Sequence, residues 1–426
     1  MSRRSLQNLK YNRKIFIGIS LVLLFWLVFY GKIVVNDTGG DYYHHNLFTD
    51  WIINGEMKSM YPGYHLLVGV IHKITGVSIP TASVVILALA TVASMLVTNL
   101  FLEELMGRST ITYVLAIVVN IVQPIFFYGY APGYSSGNGY VSPTQALCKP
   151  FVIMSVLLFF RMYRSNDWKL KKLITLTICL IISCIIKPLF AMAFVPAMGL
   201  MLLVDKIISL KNVNQKLCVA LRQYLWEISP LFVTGLFLIG QYIYGMNISI
   251  PYDTIYTEAS ENSKICIGFL RSWSLVVDNV WISVLLAYFS PIVLAVMLIV
   301  CRKRRIGVFD NQESNQHFID NHYLKICFYY GVVSFTYMAF LYQDAGYETD
   351  CNFRNCWIVT YILVYIACIS VLWRWVKSEI QLLRNKEDRN LLKLFMTNSF
   401  PCVICVCTLL VQCLFGLALI ARNLLL

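Results

Sequence analysis

Eleven apolar stretches divide this chain, each long enough, or nearly so, to form a membrane-crossing helix. They run over 15–35, 80–102, 111–130, 146–163, 173–186, 188–205, 226–246, 281–301, 324–342, 354–373 and 395–421. About 20 apolar residues cover the roughly 30 Å of a bilayer's hydrocarbon. Within that layer the backbone must pair with itself, so such stretches fold as helices. Composition agrees: 58% of the 426 residues are hydrophobic and 13% are charged, where soluble domains carry about 25% charged residues. The expected fold is an all-α polytopic membrane protein of about 11 transmembrane helices with interfacial helices on its outer face. It is read as a single integral membrane domain over 1–426, with a first span at 15–35, an outer loop at 36–79 bearing interfacial helices, and the remaining spans within 80–421.

Two assignments set the direction of every later span. The run 173–205 is broken by "KP" at 187–188, and proline both removes a helical donor and clashes with the preceding turn. It is therefore read as two short helices forming a hairpin. The stretch 61–79, "YPGYHLLVGVIHKITGVSI", is interrupted by His65, His72 and Lys73 and is read as a helix lying on the outer surface. With the N-terminus inside, this layout puts 26 of the 35 Lys and Arg residues on the inner side, including "RKRR" at 302–305. The acidic residues divide evenly, as expected when Lys and Arg alone orient the chain. The C-terminus then lies outside. The basic N-terminal segment and its apolar run resemble a signal peptide, but the run is too long and no A-x-A site follows, so it reads as an uncleaved span.

The net charge of +13 does not point to nucleic acid, because the basic residues fall in short clusters between spans and form no stripe. Most of the 14 cysteines lie in apolar runs, where they act as small hydrophobes. Cys351 and Cys356 are close enough in sequence to pair. "GYSSG" at 133–137 fits G-x-S-x-G but lacks the strand–turn–helix setting that motif needs, and there is no P-loop, H-E-x-x-H or dinucleotide fingerprint.

Chemistry concentrates in "NDTGGDYYHHNLFTDW", 36–51, immediately after the first span. If 41–53 is a helix, Asp41 and His45 share a face, and an oily side bearing Phe48 and Ile52 would lay it flat at the interface. A carboxylate held there can take a proton from a hydroxyl or ligate a divalent cation; the same acids would also serve simply to solvate a loop. Asp37 stands nearby as a second candidate. Further along, Lys149 in "SPTQALCKPF" and Lys187 at the hairpin tip sit at span entrances, where a cation either meets an anionic lipid phosphate or snorkels to the surface. Glu348, Asp350 and Arg354 in "YETDCNFRNCW" crowd another span mouth; Arg354 suits a phosphate or an ion pair with Asp350. Arg271 is a weaker candidate. His65 and His72 share a helical face, but two histidines without a third ligand are more often structural.

The order of a basic N-terminus, one span, Asp41 in "GGDYYHH", an amphipathic 42–58, "YPGYH" at 61–65 and a histidine-bearing interfacial helix resembles the GT-C superfamily of membrane glycosyltransferases, as represented by poorly characterised bacterial members. The likeness is densest over 1–105. It implies catalysis by Asp41, with Asp37 and His45, at the outer face of a bacterial cytoplasmic (inner) membrane. The implied partners are a polyprenyl-phosphate-linked sugar and a glycan or glycolipid acceptor, bound by Lys149, Lys187, Arg354, Arg271, Glu348 and His65. A divalent cation (Mg or Mn) held by Asp41 is a further expectation, although the chain has no clear D-x-D. Two other functions remain open: an O-antigen- or capsule-type polysaccharide polymerase, and a lipid-linked oligosaccharide flippase. Against the last, the charges hug the span edges and no internal repeat is visible.

Overall fold

A computed structural model describes residues 3–38, 40–125, 142–213, 217–245, 264–271, 279–304, 306, 320–344, 352–385 and 399–425. Among the described residues the chain is helical almost throughout. The helices are α1 (Arg3–Asn36), α2 (Asp41–Ile53), α3 (Gly63–Thr75), α4 (Ile79–Met106), α5 (Thr110–Ile121), α6 (Pro143–Ser165), α7 (Leu170–Ile186), α8 (Leu189–Val213), α9 (Leu217–Gly245), α10 (Val280–Ala287), α11 (Phe289–Arg304), α12 (Asn321–Phe340), α13 (Asn352–Asn385) and α14 (Phe400–Leu425). One departure from an all-α chain is a short antiparallel ladder, β1 (Lys264–Ile267) with β2 (Leu341–Asp344), paired from Lys264 opposite Asp344 to Ile267 opposite Leu341.

A described helix or helix pair overlaps each of the eleven expected spans, although α5 covers only 111–121 of the span 111–130, and 126–130 and 395–398 fall outside the described residues. Among the described residues seven helices are individually long and apolar enough to cross a bilayer, or up to eight spans if α10 and α11, bent by 70°, count as one broken span. The expectation of eleven differs for physical reasons. α5 has 12 residues and α7 has 17, both short of a full crossing, while α12 carries four tyrosines and Lys325 in its 20 residues. Helices α4, α6 and α13 fill the core with Leu87, Phe101, Ile153, Phe160, Tyr361 and Trp375. Helices α1, α9 and α14 turn Leu21, Leu24, Phe232, Leu236, Leu414 and Leu417 outward, an apolar belt suited to lipid rather than water.

Both breaks in the bundle sit at prolines. Pro188 has no N–H to offer Cys184 O, and that carbonyl accepts instead from Gln241 Nε2 of α9 at 2.9 Å. Cys148 of α6 adds a weak sulfur contact to Lys187 O at 3.7 Å, and Cys356 of α13 donates to Leu189 O at 3.2 Å. The α10–α11 bend follows the same logic at Pro291. Ala287 O, four residues back, accepts from Gln412 Nε2 at 3.2 Å, and the single Tyr365 hydroxyl proton lies between Ala287 O at 2.8 Å and Gln412 Oε1 at 2.5 Å. Gln412 Oε1 in turn accepts from Ser290 N at 3.1 Å and Ser290 Oγ at 2.5 Å. One buried amide therefore replaces the helical bonds that the proline removes.

The two ends of the bundle are chemically distinct. At one end Glu104 meets Arg161 at 2.9 Å and Arg164 at 3.4 Å, Arg164 reaches Asp320 at 3.3 Å, and Lys206 meets Glu227 at 2.7 Å. Asp205 there binds Lys325 and also Tyr163 OH. The other end gathers the end of α1, helices α2 and α3, the start of α6 and the α7–α8 break. The run 173–205 is thus the hairpin its proline implies.

Replacing Gln412 with leucine leaves the Ser290 N–H and hydroxyl without their acceptor and removes one donor each from Leu286 O and Ala287 O. The expected cost is on the order of 3 kcal/mol, read as a lower thermal midpoint in detergent or lipid. Leu414→Ala, on an outward-facing side chain, should cause a much smaller change.

Candidate functional site

Helix α2 begins where the sequence suggested, and Asp37 is the reason. Its carboxylate accepts the backbone N–H groups of Gly40 at 2.5 Å, Tyr42 at 2.9 Å and Tyr43 at 3.2 Å. These are first-turn donors that no helical carbonyl can reach, and a negative charge there also opposes the helix dipole. Asp37, read from sequence as a candidate catalytic acid, is occupied with capping. Asp41 is the first residue of the helix.

Helix α3 packs tightly under α2. A methyl group on Gly69 would fall 2.2 Å from Ile53 Cγ2, and one on Gly63 would fall 2.9 Å from Ile185 O, so hydrogen is what fits at both places. Lys73 Nζ donates to Ile53 O at 3.0 Å, placing a cation at the C-terminal end of α2. Ser83 Oγ of α4 donates to Asn46 Oδ1 at 2.6 Å.

The expected sharing of a face by Asp41 and His45 holds, but that face turns into the protein. His45 Nε2 lies 3.7 Å from Asp41 Oδ1, with the His45 side chain 14% exposed and that of Asp41 40% exposed. His45 Nδ1 lies 3.4 Å from His65 Nε2, and the two rings stack at 5.1 Å. His65, in α3 and only 2% exposed, has its Nδ1 3.0 Å from Thr49 Oγ1, and Thr49 donates its hydroxyl to His45 O at 2.8 Å. Tyr64 closes the cluster edge-on to His45.

Asp41 also faces the bundle. Burial raises its carboxyl above the usual carboxylate range, while attraction to Lys187 and a hydrogen bond with Ser142 pull it back down. Lys187 Nζ lies 3.5 Å from Thr144 Oγ1, so the α7–α8 break and the first turn of α6 flank the acid. Helix α8 starts two residues beyond Lys187, and the Cys356 bond to Leu189 O brings the start of α13 beside it. The positive ends of three helix dipoles thus approach one small region. Burial, before the charges of His65, Lys187 and His44, holds His45 well below the ordinary histidine range. Burial likewise pushes His65 down to about 4.

The remaining candidates scatter. Lys149 is half-buried in α6, just before Pro150. Arg271 is exposed beyond β1, next to the separate small cluster of Leu270, Val280, Met338 and Ala339. His72 Nδ1 donates to Val77 O of its own turn at 2.7 Å. The backbone of Arg354 lies in the first turn of α13; its side chain, Glu348, Asp350, Cys351 and the "GYSSG" segment fall outside the described residues. Among the described residues no three His, Cys, Asp or Glu side chains converge as a metal site, so Asp41 belongs to no such group. Thr49, Ser142 and Thr144 went unremarked in the sequence. Thr49 carried a signal, lying four residues beyond His45 and eight beyond Asp41 on one helical face.

No protein-family model matches the chain, and no characterised protein has a significantly similar sequence.

The buried histidines make α2–α3 packing sensitive to acid. The folded protein keeps His65 neutral down to about 4, whereas the unfolded chain takes up that proton near 6.5. Stability from His65 is therefore complete above pH 6.5 and lost as pH falls toward 4; the interval corresponds to on the order of 3 kcal/mol. Hydrogen exchange across residues 41–75, corrected for intrinsic rate, should accelerate between these pH values. His65→Gln should make that dependence shallower.

Proposed function

We propose that this chain is a membrane glycosyltransferase of the GT-C kind, moving a sugar from a polyprenyl-phosphate-linked donor to a hydroxyl on a glycan or glycolipid acceptor. One observation carries the reading: a partly exposed acid, Asp41, faces Lys187 and the starts of α6 and α8 across a site roofed by two short helices at the end of a lipid-embedded bundle. Glycosyl transfer from a lipid phosphate needs these two charges and little more.

In the reaction the acceptor oxygen bonds to the sugar's anomeric carbon. The bond from that carbon to the phosphate oxygen breaks, and its electron pair leaves with the phosphate. Asp41 orients the acceptor hydroxyl and draws off its proton as the new bond forms. Lys187 faces the charge that accumulates on the departing phosphate, where a fixed cation stabilises the transition state more than the ground state. The positive ends of α6 and α8 favour an anion at the same level. The apolar outer surfaces of α1, α9 and α14 suit a bilayer in which the polyprenyl tail is already dissolved. The positive-inside bias supports an outer-face site, and the reading takes the membrane as a bacterial inner membrane with the N-terminus cytoplasmic and the C-terminus outside.

The test compares surface glycans from cells carrying the wild-type chain, Asp41→Ala, Lys187→Met or a deletion, with membrane levels matched. Asp41→Ala should lose the same sugar as the deletion, with transfer down at least 100-fold, the scale of a lost general base. Lys187→Met should fall in between. If Asp41→Ala keeps the wild-type glycan while the deletion changes it, the reading is wrong. A pile-up of donor lipid on the inner leaflet would instead indicate transport.

A further inference from the structure

The chain of contacts behind Asp41 settles where the ring protons lie. The carbonyl oxygen of His45 can only accept, so the single hydroxyl proton of Thr49 is committed to it at 2.8 Å. Thr49 Oγ1 must then accept from His65 Nδ1, 3.0 Å away, which places the His65 proton on Nδ1 and leaves Nε2 with a lone pair. That lone pair faces His45 Nδ1 at 3.4 Å, so His45 too carries its proton on Nδ1. The opposite arrangement would set two lone pairs against each other in a buried site, at about 1–3 kcal/mol. Free imidazole side chains in water prefer the proton on Nε2; here both rings are held in the less common form.

The consequence appears at the outer end of the chain. His45 Nε2 is left basic, and it points at Asp41 Oδ1 across 3.7 Å. A basic nitrogen and a carboxylate oxygen thus face each other at a separation too long for a bond and short enough to share one incoming proton.

We propose that Asp41 and His45 form a single proton-accepting pair, with His65 and Thr49 as positioning residues that hold His45 Nε2 as its basic atom. The catalytic use of the pair rests on the transferase reading; the assignment of protons does not. When the acceptor oxygen attacks the anomeric carbon, its proton passes to Asp41 and is shared with Nε2. The imidazole–carboxylate pair is thereby neutralised as the phosphate leaves with the bonding electrons, and the proton returns to water past the exposed edge of Asp41. The groups facing His45 are Asp41 and His44 on its own helix, Asp37 before it, Tyr64 and His65 from α3, Ser142 beside Asp41 from α6, and Lys187 from the α7–α8 break. The burial that keeps both rings neutral is consistent with this arrangement.

The proton positions are measured directly by solid-state nitrogen NMR of the histidine-labelled full chain in lipid bilayers, with His45→Gln and His65→Gln assigning the signals. At pH 7.5 both rings should be neutral and protonated on Nδ1. A His45 signal protonated on Nε2, or on both nitrogens, overturns the proposal. Thr49→Val should return part of His65 to the Nε2 form and lower transfer roughly tenfold, moving the acid limb of the pH profile to lower pH because Asp41 then titrates without its partner. Thr49→Ser should restore both. Normal proton positions together with an unchanged pH profile in Thr49→Val would show that the chain is structural only. If Asp41→Ala leaves the glycan intact while the NMR result stands, the transferase reading has failed and the proton assignment has not.

Discussion

The shape of this protein depends on what happens to a carbonyl four residues before a proline. In water such a carbonyl finds a solvent partner; at membrane depth it must find one within the protein or the helix does not persist. Pro188 and Pro291 each create this demand, and in both cases a glutamine from a distant helix meets it: Gln241 reaches Cys184 O, and Gln412 reaches Ala287 O. A glutamine suits the task because one amide both donates and accepts. Gln412 uses both halves, satisfying the freed carbonyl and the Ser290 N–H that has lost its own acceptor. The breaks are therefore fixed joints rather than loose hinges.

The joint at Pro188 is what assembles the candidate site. Without it, Lys187 would sit within a continuous helix and Leu189 would not begin a new one. With it, the cation and a helix start are delivered to the level of Ser142 and Thr144. Gln241 reinforces this by also donating to Met60 O at 2.9 Å, which ties the segment between α2 and α3 to the same joint. Close approach at Gly63 and Gly69 then seats α3 so that His65 lies under His45. Position and chemistry trace back to the same few backbone atoms.

That origin explains which parts could be read from the chain alone. Apolar length located a helix at every proposed span, "KP" located the hairpin, and four-residue spacing placed Asp41 beside His45. All of these are local or periodic signals. The capping role of Asp37 was not legible, because a side chain capping a turn three to six residues ahead leaves no periodic trace. Pro291 was absorbed into the span 281–301 because apolarity alone does not reveal a bend. The pairing of His45 with His65, of Gln241 with Cys184 and of Gln412 with Ala287 joins residues far apart in sequence, and no single sequence specifies such register. The β1–β2 ladder likewise joins segments far apart in sequence, and short runs such as "KICI" and "LYQD" read equally well as helix edges.

The two bundle ends differ in how their charges are met. At the opposite end opposite charges meet directly: Glu104 with two arginines, Asp205 with Lys325 and a tyrosine, Glu227 with Lys206. Such pairs satisfy one another and leave little field for a ligand. Around Asp41 the groups are spaced differently. His45 Nε2 stands off at 3.7 Å, and Lys187 contacts a threonine hydroxyl and acts on the acid through space. Burial raises the cost of Asp41's charge without supplying an ion pair to cancel it, so part of that cost is recovered only when a proton or a cationic centre arrives. A fold stabilised at one end by direct ion pairs can keep at the other an acid whose nearest histidine nitrogen stands 3.7 Å away.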